Sequence, residues 1–68
     1  MKQIINEYLS KYRLIKVHFL NESPITLGVD SEATYKIVDN TIEYKHLGNT
    51  FVYNIDYIIK IECYGERI

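Results

Sequence analysis

Residues 41–64 read TIEYKHLGNTFVYNIDYIIKIECY, an alternation at period two broken by one tight turn. Glycine followed by asparagine at Gly48-Asn49 suits a two-residue type II′ hairpin, whose backbone twist matches that of the strands it joins. That turn predicts Leu47 facing Thr50, His46 facing Phe51, Tyr44 facing Tyr53 and Ile42 facing Ile55. One face then carries Ile42, Tyr44, His46, Phe51, Tyr53 and Ile55, and the other Glu43, Lys45, Val52 and Asn54. A slip by one residue would exchange the two faces, so the apolar row specifies the register.

The preceding turn supports the same reading. Asp39-Asn40 suits a type I′ turn, because both residue types tolerate positive φ. It sets Val38 opposite Thr41, Ile37 opposite Ile42, Lys36 opposite Glu43 and Tyr35 opposite Tyr44. Two separate turns thus place Tyr35, Ile37, Ile42 and Tyr44 on one face, and agreement between turn chemistry and apolar pattern is what a specified fold requires. Residues 34–55 are expected to form a three-stranded meander.

Working outward, residues 2–12 form an amphipathic helix. Ile4, Ile5, Tyr8, Leu9 and Tyr12 recur at the helical period, against Lys2, Gln3, Asn6, Glu7, Ser10 and Lys11. So short a helix is marginal alone and must dock on the sheet. Residues 13–20 return to period two, with Ile15, Val17 and Phe19 inward. Asn21-Glu22-Ser23-Pro24 is a turn. Residues 24–30 follow, with Ile25, Leu27 and Val29 inward and Gly28 marking a bulge or bend. Asp56 breaks the strand after Ile55, and residues 57–64 form the last one, with Ile59, Ile61 and Cys63 inward and a frayed tail beyond. The expected strands are therefore 13–20, 24–30, 34–38, 41–47, 50–55 and 57–64, in one domain spanning 1–68. The fold class is α+β, mostly β: a helix, then five to six short antiparallel strands in a small SH3/Sm-like, partly closed barrel or a curved sheet.

Length and composition exclude more than they assign. A chain of 68 residues buries only about 60% of its unfolded surface, and at this size disulfides, metals or association commonly supplement the core. The single Cys63 forbids an internal disulfide, and no Cys/His spacing matches a zinc site. A net charge of −1 suits neither a general polyanion binder nor a strongly acidic mimic of one. The start Met1-Lys2-Gln3 has no apolar run of signal-peptide length, and no stretch is long enough to span a membrane, so a cytoplasmic location is expected. Eleven isoleucines and seven tyrosines favour strands.

Chemistry-bearing residues are few. His18 and His46 fall on different strands and opposite faces, which speaks against a shared metal or proton relay. Cys63 lies in an apolar row, where a free cysteine behaves as a small hydrophobe with a disfavoured thiolate. The serines sit in no nucleophile motif, no carboxylate pair is placed for acid–base work, and three isolated glycines make no phosphate loop. No catalytic residue, metal ligand or cofactor is expected. Tyr35, Tyr44 and Tyr53 line one face, reading first as core and second as a stacking surface for bases or a protein interface.

The tripeptide Tyr44-Lys45-His46, with the helix-then-strands order and the Leu27-Gly28 step, resembles bacterial Sm-like RNA chaperones. In that family the lysine and histidine meet uridine-rich RNA, and the resemblance implies that role for Lys45 and His46. Here the tripeptide precedes a turn and two further strands rather than closing the chain, and the register sends Lys45 and His46 to opposite faces.

Two functional expectations follow. The first is a non-enzymatic protein-interaction module, a stand-alone regulator or inhibitor. The Ile-, Lys-, Asn- and Tyr-rich composition suits a phage or mobile-element product that blocks a host factor. Leu14, Leu20, Val52, Ile58 and Tyr64 are apolar residues at outward positions, and gathered into one patch they would mark an interface with a protein partner or a second copy in a two-fold dimer. The alternative is an Sm-like or SH3-like single-stranded nucleic-acid binder using Lys11, Arg13, Lys16, Lys45 and His46. A further expectation concerns the turns: valine at Gly48, where a II′ turn needs positive φ, should cost more than valine at Gly28.

Overall fold

Helix α1 (Lys2–Lys11) passes into strand β1 (Tyr12–Phe19) with no intervening loop. The computed structural model describes all 68 residues. Tyr12 adopts φ −123 and ψ 150 while its N–H still donates to the Tyr8 carbonyl, so helix becomes strand within one residue. Ile5 and Leu9, one turn apart, are the helix residues that reach the core; Ile4 stays exposed and Tyr8 half-buried. The apolar stripe is thus narrower than its sequence spacing predicts. The chain end supports the helix C-terminus: the Arg67 guanidinium donates to the Leu9 carbonyl at 2.6 Å, and the Arg67 N–H to the Lys11 carbonyl at 2.8 Å. Carbonyls left over at a helix end need such donors, and a cation there also meets the negative end of the helix dipole. The tail expected to fray is tied down.

Five more strands follow: β2 (Ile25–Leu27), β3 (Thr34–Val38), β4 (Thr41–His46), β5 (Asn49–Asn54) and β6 (Ile58–Glu66), the last reached through a 3-10 turn at Ile55–Tyr57. Asn54 shapes that turn by accepting the Asp56 N–H at 2.9 Å. The strands make two three-stranded antiparallel sheets, β2-β1-β6 and β3-β4-β5. No ladder joins one sheet to the other, so the barrel does not close and the curved-sheet form of the expectation holds.

The core lies between the sheets and under α1. Ile15, Val17 and Phe19 alternate inward along β1, flanked by Ile25 and Leu27 of β2, and they meet Ile5, Leu9, Ala33, Ile42, Tyr44 and Ile55. Phe19 stacks on Tyr53 across the sheets at 4.7 Å between ring centroids. Tyr53 in turn sits edge-on to Tyr44 at 6.3 Å.

The meander keeps its predicted faces with a different second turn. Tyr35 opposes Tyr44, Ile37 opposes Ile42 and Val38 opposes Thr41, as Asp39-Asn40 requires. Only Asp39 of that turn has positive φ, so it is not type I′. The following turn is Leu47-Gly48, both residues with positive φ (52° and 79°), which is the I′ signature. Tyr44 therefore opposes Phe51 and Ile42 opposes Tyr53. The predicted pairing is displaced by two residues, and a displacement of two preserves which face each side chain takes.

Other inward assignments fail for local reasons. Phe19 pairs with Ile58 but His18 with Lys60, so Ile59 is an extra residue on β6. That bulge turns Ile59 out (64% exposed) and Ile58 towards the core. Strand β2 ends at Leu27, leaving Val29 in water, and Tyr35 and Phe51 flank the buried Tyr44 from exposed edge strands. Gly28 has φ +123, and a Cβ there would lie 2.5 Å from the Arg13 carbonyl oxygen; at Gly48 nothing lies within 4 Å.

The two glycines consequently exchange rank. Gly28→Ala should lower the urea midpoint by more than Gly48→Ala, since both face backbone strain but only the first meets a backbone atom. Tyr44→Ala should cost about 3–5 kcal/mol, the range for truncating a buried aromatic. A midpoint equal to the parent's would remove Tyr44 from the core.

Candidate interaction surface

The outward face of β2-β1-β6 carries the polar network of the molecule. Lys16 opposes Glu62 and His18 opposes Lys60. The Glu62 carboxylate accepts from His18 Nε2 at 2.5 Å and from the Tyr64 hydroxyl at 2.9 Å, with Lys60 Nζ 4.0 Å away. An ionised carboxylate can only accept, so Nε2 carries the ring proton in this contact. The His18 bond, then the Tyr64 bond, hold the Glu62 carboxyl below its ordinary range, and the same bond pushes the Tyr64 phenol up. The sequence alone does not announce this contact, because Glu62 is 44 residues from His18 and the pairing depends on the β1–β6 register. No serine, threonine or cysteine side chain hydrogen-bonds to the pair. The Cys63 thiol, opposite Ile15, is pushed up by burial and disfavoured as a thiolate. His, Cys, Asp and Glu form no group of three able to hold a metal ion.

The basic residues proposed for nucleic acid do not share a surface. Arg13 is committed to Asp30, donating from Nε at 3.0 Å and from Nη2 at 2.8 Å. The pair is bidentate, and it fixes the segment after Gly28, where the Asp30 N–H also donates to the Arg13 carbonyl. Lys11 lies on α1 beside Glu7 at 3.9 Å. Lys16 is half-buried on the outward face of β1, across from Glu62. Lys45 is exposed on β4 beside Thr34, Lys36 and Glu43. His46 turns the other way, its ring 6.3 Å from that of Tyr44 and its Nε2 3.9 Å from Glu32. The tyrosine face is also divided. Tyr44 is buried, Tyr53 is covered by Phe19, and Tyr35 is exposed at the edge.

The five apolar residues proposed as an interface separate into three places. Leu14 opposes Tyr64 on the outward face of β1 and β6. Leu20 and Val52 meet in a groove of about 340 Å³ with Phe19, Tyr53 and Tyr57. Ile58 packs towards the core and borders a second groove, of about 310 Å³, between α1 and β6. Met1, Ile4, Tyr8, Ile59 and Ile61 complete that second groove, with Lys60 at its margin. Sequence reading assigned Ile4 and Ile59 to the core; the narrow helix stripe and the β6 bulge are what release them. No known protein family, characterised protein or solved structure matches the chain.

Acid should weaken the fold through Asp30 and Glu62. Both are held below the ordinary carboxylate range, Asp30 chiefly by its hydrogen bond from Arg13. A depressed folded-state pKa contributes stability above the ordinary value, and that contribution is lost as pH falls through the lower one. Denaturant midpoints measured downward from about pH 5 should fall for the parent, and less steeply for Asp30→Asn and Glu62→Gln. An equal slope in all three would show that neither contact is formed.

Proposed function

We propose that the chain is a non-enzymatic protein-interaction module, a small regulator or inhibitor that works by docking on another protein. The observation that carries this reading is the groove between α1 and β6. Ile59 and Ile4 are both exposed there, together with Met1, beside half-buried Tyr8, Ile58 and Ile61. Isolated surface hydrophobes need no explanation, but a contiguous apolar patch is the usual mark of a binding surface. Lys60 at the margin favours a partner segment that is apolar along one side and acidic at its flank. Self-association belongs to the same reading. Only 11 of 68 residues are buried, so covering further apolar surface by a second copy adds stability that a core this small supplies sparingly.

The test is affinity capture with parent and Ile59→Glu baits, identifying both protein and nucleic acid. Ile59 is an exposed bulge residue, so the substitution leaves the core intact. A protein held by the parent and released by Ile59→Glu is the expected result. Equal capture by both baits would contradict it. So would capture of an oligonucleotide whose affinity falls steeply with salt, which is the behaviour of a nucleic-acid binder.

A further inference from the structure

The two sheets have four edges: β2, β6, β3 and β5. An open edge offers unpaired backbone groups to another strand, and proteins ordinarily blunt it with charge, proline, brevity or a bulge. Three of the edges are blunted in this way. Strand β2 has three residues, follows Pro24 and is followed by Gly28. Strand β3 carries Lys36, and β6 carries Lys60, Glu62 and Glu66 together with the bulge at Ile59. Strand β5, NTFVYN, has none of these devices. Five of its six residues are exposed, Val52 at 63%. No backbone hydrogen bond outside the ladders involves residues 49–54.

The β4 register decides which groups this edge presents. With Leu47-Gly48 as a two-residue turn, His46–Asn49, Tyr44–Phe51 and Ile42–Tyr53 are the hydrogen-bonded pairs. Thr50, Val52 and Asn54 then point their N–H and C=O groups away from β4. We infer that β5 is the self-association surface of this protein, pairing antiparallel with β5 of a second copy about a two-fold axis at Val52. This deepens the self-association part of the proposed function and rests on it, independently of any foreign partner.

The choice of axis follows from what each alternative satisfies. Centring on Val52 sets Val52 opposite Val52 of the second copy and Thr50 opposite its Asn54, so all three outward residues of each strand enter the ladder. Centring on Phe51 would carry Asn54 past the strand end, opposite Gly48 of the second copy. In the Val52 register Phe51 also faces Tyr53 of the second copy, and Tyr53 its Phe51. Aromatic pairs at such non-hydrogen-bonded positions are favourable. The strand itself carries no charge; Glu22, from the turn after β1, borders it beside Val52, Tyr53 and Asn54. Leu47, 84% exposed at the hairpin tip, is carried beyond β5 to the level of Asp56 and Tyr57. There the Tyr57 ring borders the groove that holds Leu20 and Val52. The result is one six-stranded sheet, β3-β4-β5-β5-β4-β3, isologous as a two-fold interface must be.

Sedimentation equilibrium on the purified chain tests this without any other protein. The parent should reach twice the 8.1 kDa of one chain at micromolar concentration. Val52→Lys should be monomeric there, since it sets two cations against each other at the axis, while Ile59→Lys should remain dimeric. A circular dichroism spectrum like the parent's establishes that Val52→Lys is folded, and Thr50→Lys, exposed on the same edge, replaces it if it is not. A parent that stays monomeric on concentration overturns the inference. A dimer that survives the β5 substitutions overturns it too, as does one abolished by Ile59→Lys instead. Partner capture by the α1–β6 groove is read separately, so either can fail without the other.

Discussion

The stack of Phe19 on Tyr53, 4.7 Å between centroids, joins a strand of one sheet to a strand of the other, and no backbone ladder does so. Across the core the two sheets are therefore joined by side-chain packing, with the Leu20 N–H donating to the Tyr57 carbonyl at the 3-10 turn that links them. Strand β1 supplies most of that packing. It is the central strand of its sheet, hydrogen-bonded on both sides, and its inward residues Ile15, Val17 and Phe19 meet the helix above and β4 and β5 across the core. Such contacts are non-directional and scale with the apolar area removed from water. Their strength therefore depends on how many side chains a short chain can turn inward at once.

That number is small, and the geometry sets where the remainder goes. Strand β6 could have continued the inward row with Ile59, but the bulge gives that place to Ile58 and moves Ile59 to the margin of the α1 groove. The helix commits Ile5 and Leu9 and leaves Ile4 beside Ile59. In the other sheet the tight Leu47-Gly48 turn holds a bulky residue at positive φ, fully in view of solvent. It also fixes which backbone groups β5 leaves unpaired. Two surfaces result, an apolar groove beside the helix and an uncharged strand edge on the opposite sheet. They are physically separate and suit different occupants.

Much of this was legible in the sequence, and the exceptions share a cause. Period-two alternation placed all six strands, and Val38-Asp39-Asn40-Thr41 placed the first meander hairpin residue for residue. The second hairpin departs from the Gly-Asn expectation because Gly48 is the second turn residue rather than the first. Leucine is a poor occupant of positive φ, so nothing local pointed to Leu47. The faces survived because the displacement was even. The bulge at Ile59, the Gly28 contact with Arg13 and the Glu62 contact with His18 all require knowledge of which strand lies alongside, over separations that a single sequence does not encode locally. The candidate interface suffered most from this. A bulge of one residue exchanged Ile58 and Ile59, and the length of β1 keeps Leu14 and its neighbour Tyr64 away from Leu20 and Val52 at the strand's far end.

The β4–β5 register is the point on which the exposed edge, the Phe19–Tyr53 stack and the placement of Val52 all depend, and proton NMR reads it directly. Cross-strand Hα–Hα contacts are shortest at non-hydrogen-bonded pairs. With the turn at Leu47-Gly48 they should appear between Lys45 and Thr50 and between Glu43 and Val52. A contact between the Hα atoms of Tyr44 and Tyr53 in their place would put the turn at Gly48-Asn49, and would contradict the account of β5 as the edge through which this protein associates.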